Sequence, residues 1–107
     1  MSVMDLRKSP LLERSLAALR EHQGWLREKG VIHAAVFGSV ARGDDDDRSD
    51  IDVLVELSPE ARVGTPEMLQ IEDALVAAFG RRVDVVSRGG LKSPRHDHIL
   101  EEMIAAF

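Results

Sequence analysis

Six aspartates fall within the nine positions from Asp44 to Asp52, inside the stretch "VFGSVARGDDDDRSDIDVLVE" (36–56). Spacing divides them into two kinds. Asp50 and Asp52 stand two apart at the start of an apolar run, so in a strand their side chains share one face and can approach one point. Two ionised carboxylates that close repel, and each raises the other's pKa unless a cation lies between them. Mg²⁺ suits such a pair, because it takes oxygen ligands and binds through one or two carboxylates plus substrate phosphates. Asp44 to Asp47 lack that geometry and, followed by Arg48 and Ser49, read as a solvated loop.

A third carboxylate, Asp84, sits in the middle of "RVDVVS" (82–87), where burial is costly unless the group is paired or ligates a metal. If that run neighbours the one carrying Asp50 and Asp52, the three can converge. Two would hold metal, and the third would share a metal or act as a base toward an incoming hydroxyl. Gly38 and Ser39 supply the other half of a site. Glycine lets the backbone approach a ligand, and the following amides and the Ser39 hydroxyl can donate to a phosphate. A phosphate cradle opposite a metal-binding carboxylate pair is what phosphoryl or nucleotidyl transfer needs.

The neighbouring polar residues have plainer readings. Arg42 either reaches the nucleotide phosphates or pairs with the nearby acids, and Arg48 reads as a salt-bridge partner of its acidic neighbours. Ser49 either touches the nucleotide or caps the turn before Asp50. His33 reads as a packed or edge histidine, and Trp25 as a core or partner contact. His96 and His98 flank Asp97 near a helix start, where residues two apart diverge by roughly 200° and do not share an ion.

The elements that must position these residues are legible from punctuation. Ser9-Pro10, Thr65-Pro66 and Ser93-Pro94 each join a capping hydroxyl to a proline preset for a first helical turn. Apolar residues at helical spacing follow each one. The first predicted helix runs from about Pro10 to Lys29, with Leu12, Leu16, Leu19 and Leu26 on one face and Gly30 beyond its end. The second runs from about Pro66 to Phe79, with Met68, Leu69, Leu75, Val76 and Phe79 inward and Gly80 as its stop. The third begins near Pro94 and buries Ile99, Leu100, Met103, Ile104 and Phe107. Between them lie strand candidates 31–37, 51–57 and 82–87. In the middle one Ile51, Val53 and Val55 point one way, and Asp52, Leu54 and Glu56 the other. Residues 39–42 read as a helical turn or a plain loop. The order predicts a small α/β (α+β) sandwich, a three-stranded sheet covered by helices.

Composition narrows the function. At 107 residues the chain suits a single domain, residues 1–107, around one core. The net charge of −5 gives no general basic surface for phosphate neutralisation, which argues against direct nucleic-acid binding. It does not argue against a triphosphate, since bound Mg²⁺ reverses the local sign. The absence of cysteine excludes disulfides and thiolate metal sites. No apolar run approaches a membrane span, and the charged N-terminus is unlike a signal peptide, so a cytoplasmic location is expected.

"GSVARGDDDDRSDIDVLVE" resembles the signature of the DNA polymerase β-like nucleotidyltransferases. Its parts here are Gly38-Ser39, the ten-residue spacer 40–49, Asp50 and Asp52 opening the next strand, and Asp84 on a later one. The small size and the "GSVARG…SDID" form look like the minimal nucleotidyltransferases paired with helical HEPN proteins as toxin–antitoxin modules. The resemblance implies a nucleotidyltransferase-fold sandwich, a three-stranded mixed sheet packed with about four helices. It implies that Gly38 and Ser39 hold the triphosphate of ATP; Arg42 and Ser49 are the further candidate nucleotide contacts. Asp50 and Asp52, with Asp84, would hold two Mg²⁺ ions, and Asp84 would activate the acceptor hydroxyl. The implied reaction is adenylylation of a tyrosine of a HEPN-type toxin, with which the chain forms a hetero-oligomer that completes its site. Two rivals are an antitoxin that neutralises by masking alone, and transfer to a small-molecule alcohol.

Overall fold

The computed structural model describes residues 10–91 and 97–107. The elements in order are α1 (Pro10–Glu21), α2 (Gln23–Glu28), β1 (Val31–Phe37), α3 (Gly38–Arg42), β2 (Ile51–Leu57), α4 (Thr65–Phe79), β3 (Val83–Ser87), a 3-10 turn (Arg88–Gly90), α5 (Asp97–Glu102) and β4 (Ile104–Ala105). The sheet is mixed, in the order β3-β2-β1-β4. β1 runs antiparallel to both β2 and β4, and β2 runs parallel to β3.

Alternation along the strands builds two faces. Ile51, Val53 and Val55 are fully buried and meet Leu12, Leu16, Leu19 and Leu26 of α1 and α2 and Ile71 and Leu75 of α4 in the main core. The opposite face carries Asp52, Leu54 and Glu56. α5 crosses part of it, closing a smaller apolar cluster of Phe37, Leu54 and Ile99 with Leu100 and Met103 at its margin. Buried Ser15 satisfies its hydroxyl by donating to the Leu11 carbonyl one turn back, 2.7 Å away. Trp25 packs partly buried against the main core, with Lys29 Nζ 5.3 Å from its ring centroid.

Four expectations need correction. The first helix divides at His22, which has φ −95° and ψ 8°. Both its backbone N–H and its Nδ1–H reach the Ala18 carbonyl, at 3.1 and 2.8 Å, and Gly24 follows with the weak helix preference of a residue lacking Cβ. Thr65 is not a cap but the first residue of α4; Gly64 holds the cap position and its N–H donates to Glu67 Oε1 at 2.7 Å. The hydroxyl-proline starts at Ser9 and Ser93-Pro94 lie outside the described residues.

The apolar face of α4 is rotated from the expected one. Ile71 and Leu75 are buried and Met68 and Phe79 partly so, while Leu69 is 54% exposed and Val76 36% exposed. Leu69 and Val76, seven apart, line up on the outer flank of the same helix. Truncating Leu75 to alanine is expected to cost about 2–5 kcal/mol, and truncating Leu69 less than about 0.5. Urea midpoints of the two variants check this directly.

Finally, the sheet has four strands rather than three. Ile104 does not extend the last helix, which ends at Glu102. Ile104 and Ala105 instead pair with Val36 and Ala35. Ala106 N–H donates to the Ala34 carbonyl at 2.8 Å and Arg20 Nε donates to the Ala106 carbonyl at 2.9 Å. An extended C-terminal segment satisfies the free edge of β1, which another helical turn would leave unpaired.

Candidate active site

Register brings the distant carboxylates together. β2 and β3 run parallel with Asp52 opposite Asp84, and β1 places Phe37 opposite Asp52. Paired residues of adjacent strands lie about 4.8 Å apart and point to the same face, so Asp52 and Asp84 stand side by side on the face away from the main core. Asp50 precedes β2, and its side chain is 45% exposed, with Arg82 Nε at 4.0 Å. The Asp52 carboxyl is pushed above its ordinary range, first by partial burial and then by the negative charges of Asp84 and Asp50. Arg42 opposes that shift, while Glu102 adds to it.

Asp84 itself is exposed, contrary to the expected burial, so it has no burial cost to be offset by pairing or a metal. β3 is an edge strand with its outward face open, and Asp84 meets solvent there.

α3 resolves the ambiguous stretch 39–42 as a helix of five residues. Gly38 opens it with φ +73°, and a Cβ at this position would run into the Asp52 carboxylate. Glycine is therefore required twice, for the left-handed backbone and for contact with Asp52. Gly43, at φ 81°, closes the helix: its N–H and that of Asp44 both donate to the Ser39 carbonyl at 3.0 Å. The Ser39 hydroxyl has no hydrogen-bond partner among the described residues.

Arg42 pairs with two acids. Its Nε reaches Asp44 Oδ2 at 3.3 Å and its Nη1 reaches Glu102 Oε2 at 3.0 Å. Glu102 Oε1 in turn accepts from the Gly38 N–H at 3.2 Å. Nothing in the sequence pointed to Glu102, which lies sixty positions from Arg42 and on the polar side of the last apolar pattern.

The acidic loop is largely exposed, as a solvated reading expects, and is hydrogen-bonded within itself. Asp46 organises it: Oδ1 accepts from the Arg48 N–H at 2.8 Å, and the Asp46 carbonyl accepts from the Ser49 N–H at 3.1 Å. Ser49 Oγ accepts from the Asp46 N–H at 2.9 Å, so this hydroxyl is engaged in the turn before Asp50. Arg81 Nη1 ties the same turn to β3 through the Ser49 carbonyl at 3.0 Å. Asp44 is held by Arg42, and Asp45 Oδ1 is shielded without a hydrogen-bond partner. Arg48 forms no ion pair among the described residues. Asp46→Ala is expected to cost about 1 kcal/mol, the scale of a lost capping side chain, and Asp47→Ala to leave the melting temperature unchanged.

The donor set is all oxygen, which fits Mg²⁺. Among the described residues no three His, Asp or Glu side chains close around one point. Mg²⁺ does not need three, because a carboxylate pair and substrate phosphates complete its shell. His33 is exposed on β1 and His98 exposed on α5; His96 lies outside the described residues.

This arrangement has relatives. The nucleotidyltransferase domain family matches residues 18–106. The chain belongs to that family. It is a nucleotidyltransferase enzyme, and the matched residues include α3, β2 and β3. The protein adenylyltransferase MntA of Thermococcus cleftensis is 36% identical over 94 residues, which span 87% of this nucleotidyltransferase and 93% of the relative. A Methanocaldococcus jannaschii protein assigned as a protein adenylyltransferase is 39% identical over 88 residues, 78% of this chain and 85% of its own. A solved structure assigned as a minimal nucleotidyltransferase superposes with a TM-score of 0.70 at 35% identity, covering 97% of this chain and 98% of that one. The fold also matches an MNT antitoxin solved in complex with a tri-AMPylated Shewanella oneidensis HEPN toxin, with a TM-score of 0.62 at 15% identity over 87% of this chain and 71% of that one.

Proposed function

We propose that this nucleotidyltransferase moves AMP from ATP onto a tyrosine hydroxyl of a helical HEPN-type toxin and so acts as its antitoxin. The observation that carries the reading is the placement of Asp52 beside Asp84 on the open face, directly beneath Gly38. Support comes also from the protein adenylyltransferases it resembles and from the toxin-bound antitoxin whose fold it shares. A toxin–antitoxin structure holding AMP-PNP has the same fold, at a TM-score of 0.66.

In this reading the acceptor oxygen attacks the α-phosphorus of ATP. The bond from that phosphorus to the bridging oxygen breaks, and pyrophosphate leaves. The hydroxyl proton passes to Asp84, whose exposure at the sheet edge lets an acceptor from another molecule reach it. The chain contains no tyrosine, so a tyrosine acceptor has to belong to a partner. Gly38, Ser39 and Arg42 hold the phosphates: the Gly38 amide and the Arg42 guanidinium, from the first and last residues of α3, meet at Glu102, and Ser39 adds a free hydroxyl. Ser49 serves the nucleotide indirectly, by fixing the turn that presents Asp50. Asp50 and Asp52, with Asp84, would hold two Mg²⁺ ions, which supply neutralisation of the triphosphate charge. Enzyme and toxin form a hetero-oligomer. Among the described residues no helix is long and apolar enough to cross a membrane.

ATP affinity is expected to fall by at least about tenfold in excess EDTA, because the carboxylate pair then faces the triphosphate bare. Unchanged calorimetric affinity in the chelator would refute the metal assignment. Neutralisation of the toxin in cells is expected to disappear in Asp50→Asn and Asp52→Asn; its survival in both would favour masking over chemistry.

A further inference from the structure

An acid from the far end of the chain occupies the phosphate-binding groups. Glu102 stands at the last residue of α5, and its two oxygens are separately engaged: Oε1 by the Gly38 N–H at 3.2 Å, Oε2 by Arg42 Nη1 at 3.0 Å. A carboxylate bridging an amide and a guanidinium takes the hydrogen bonds that two oxygens of a phosphate take. It lies among like charges, since Glu102 and Asp52 repel each other. These two donors are its only hydrogen-bond partners among the described residues. The side chain is 19% exposed, largely withdrawn from solvent.

We propose that Glu102 is an internal stand-in for a nucleotide phosphate, which keeps Gly38 and Arg42 poised when no nucleotide is bound and is displaced when nucleotide binds. The inference rests on the reading of Gly38 and Arg42 as phosphate ligands. Both states satisfy the same donors, so the site never leaves a bare amide or guanidinium facing the carboxylates. The exchange is a side-chain movement. Beyond Glu102 the backbone is fixed by pairing of Ile104 with Val36 and by the bond from Arg20 to the Ala106 carbonyl. Displacement puts Glu102 into solvent while the sheet stays intact. Affinity for the triphosphate is thereby set below what the donors alone would give, and Glu102 is the residue that sets it.

The test is calorimetric titration of the full chain with Mg²⁺ and a non-hydrolysable ATP analogue, repeated with inorganic tripolyphosphate. Four proteins are compared: wild type, Glu102→Gln, Arg42→Ala and the double variant. Glu102→Asp is a second probe whose shorter arm cannot bridge both donors, and thermal melts confirm that each variant is folded. Glu102→Gln is expected to bind both probes about five- to tenfold more tightly, the scale of one partly exposed charge-assisted bond removed from competition. The gain should shrink as salt rises. It should be smaller in the Arg42→Ala background, because one of the two contested donors is gone. If Arg42→Ala weakens binding but Glu102→Gln leaves it unchanged or weaker, the phosphate cradle stands and the displacement proposal is overturned. If Arg42→Ala has no effect on either probe, the cradle reading itself fails and the proposal falls with it.

Discussion

Asp52→Asn is expected to lower nucleotidyl transfer by about 10³-fold or more while making the metal-free protein harder to unfold. The two effects have one cause. Asp52 is half-buried beside Asp84 and near Asp50, and both the burial and those charges push its carboxyl above the ordinary 3.8. Fold and ionised carboxylate are in conflict, and in the proposed reading a bound cation would resolve it in the working enzyme. Asparagine keeps the shape and removes the charge. If Asp52 holds the metal as proposed, its loss removes several kcal/mol of transition-state stabilisation, which corresponds to the stated loss of rate.

The sign of the pH dependence follows. A carboxyl whose folded pKa exceeds its unfolded value binds its proton more tightly when folded. Its contribution to stability is therefore fully present below pH 3.8 and is lost as pH rises through the raised folded value. Without metal, wild-type stability should decline over that acidic window relative to Asp52→Asn, leaving the variant more stable at neutral pH. Added Mg²⁺ should raise the wild-type melting temperature and leave the variant's nearly unmoved. Urea midpoints at several pH values, with and without Mg²⁺, measure all three. A variant less stable than wild type in chelator at pH 7 would contradict the account.

Gly38→Ala is expected to damage fold and site together. At φ +73° the left-handed backbone alone costs an alanine roughly 1–2 kcal/mol. The added methyl also runs into Oδ2 of Asp52, with Cγ only 3.1 Å away, so either the carboxylate or the start of α3 has to move. Moving either one separates the amide from the carboxylates, and misplacement by an ångström is enough to cost about 10²-fold in rate. Alanine at Gly80, also left-handed but with open space around it, is the control: it should lose stability and keep full activity. Equal loss of activity in both variants would show that the Gly38 effect is one of folding alone.

The sequence carried the strands well because their signals are local. Residues 31–37 and 51–57 are strands from end to end, and alternation in the second put Ile51, Val53 and Val55 on one face, which is the buried one. It also put Asp52 on the opposite face, and the meeting with Asp84 needed only that β2 and β3 be neighbours. What stayed hidden depended on tertiary placement. Leu54 shares the polar face of its strand yet is buried, because α5 lies across it. Leu69 and Val76 fit a helical apolar pattern but face away from the sheet, since the face of a helix is chosen by its neighbours. β4 is two residues long, too short for any periodic signal, and exists because β1 had a free edge. Glu102 shows the same limit at the site: its partners are 60 and 64 positions away.

The central claim is that three carboxylates on this sheet transfer AMP to a hydroxyl of a partner protein. Its most direct test is intact-protein mass spectrometry of the helical partner after incubation with this enzyme, ATP and Mg²⁺. The account predicts a mass gain of one or more AMP units on a tyrosine, absent when Asp50→Asn or Asp84→Asn replaces the wild-type enzyme. An unchanged partner mass in a tight complex of the two proteins would contradict it.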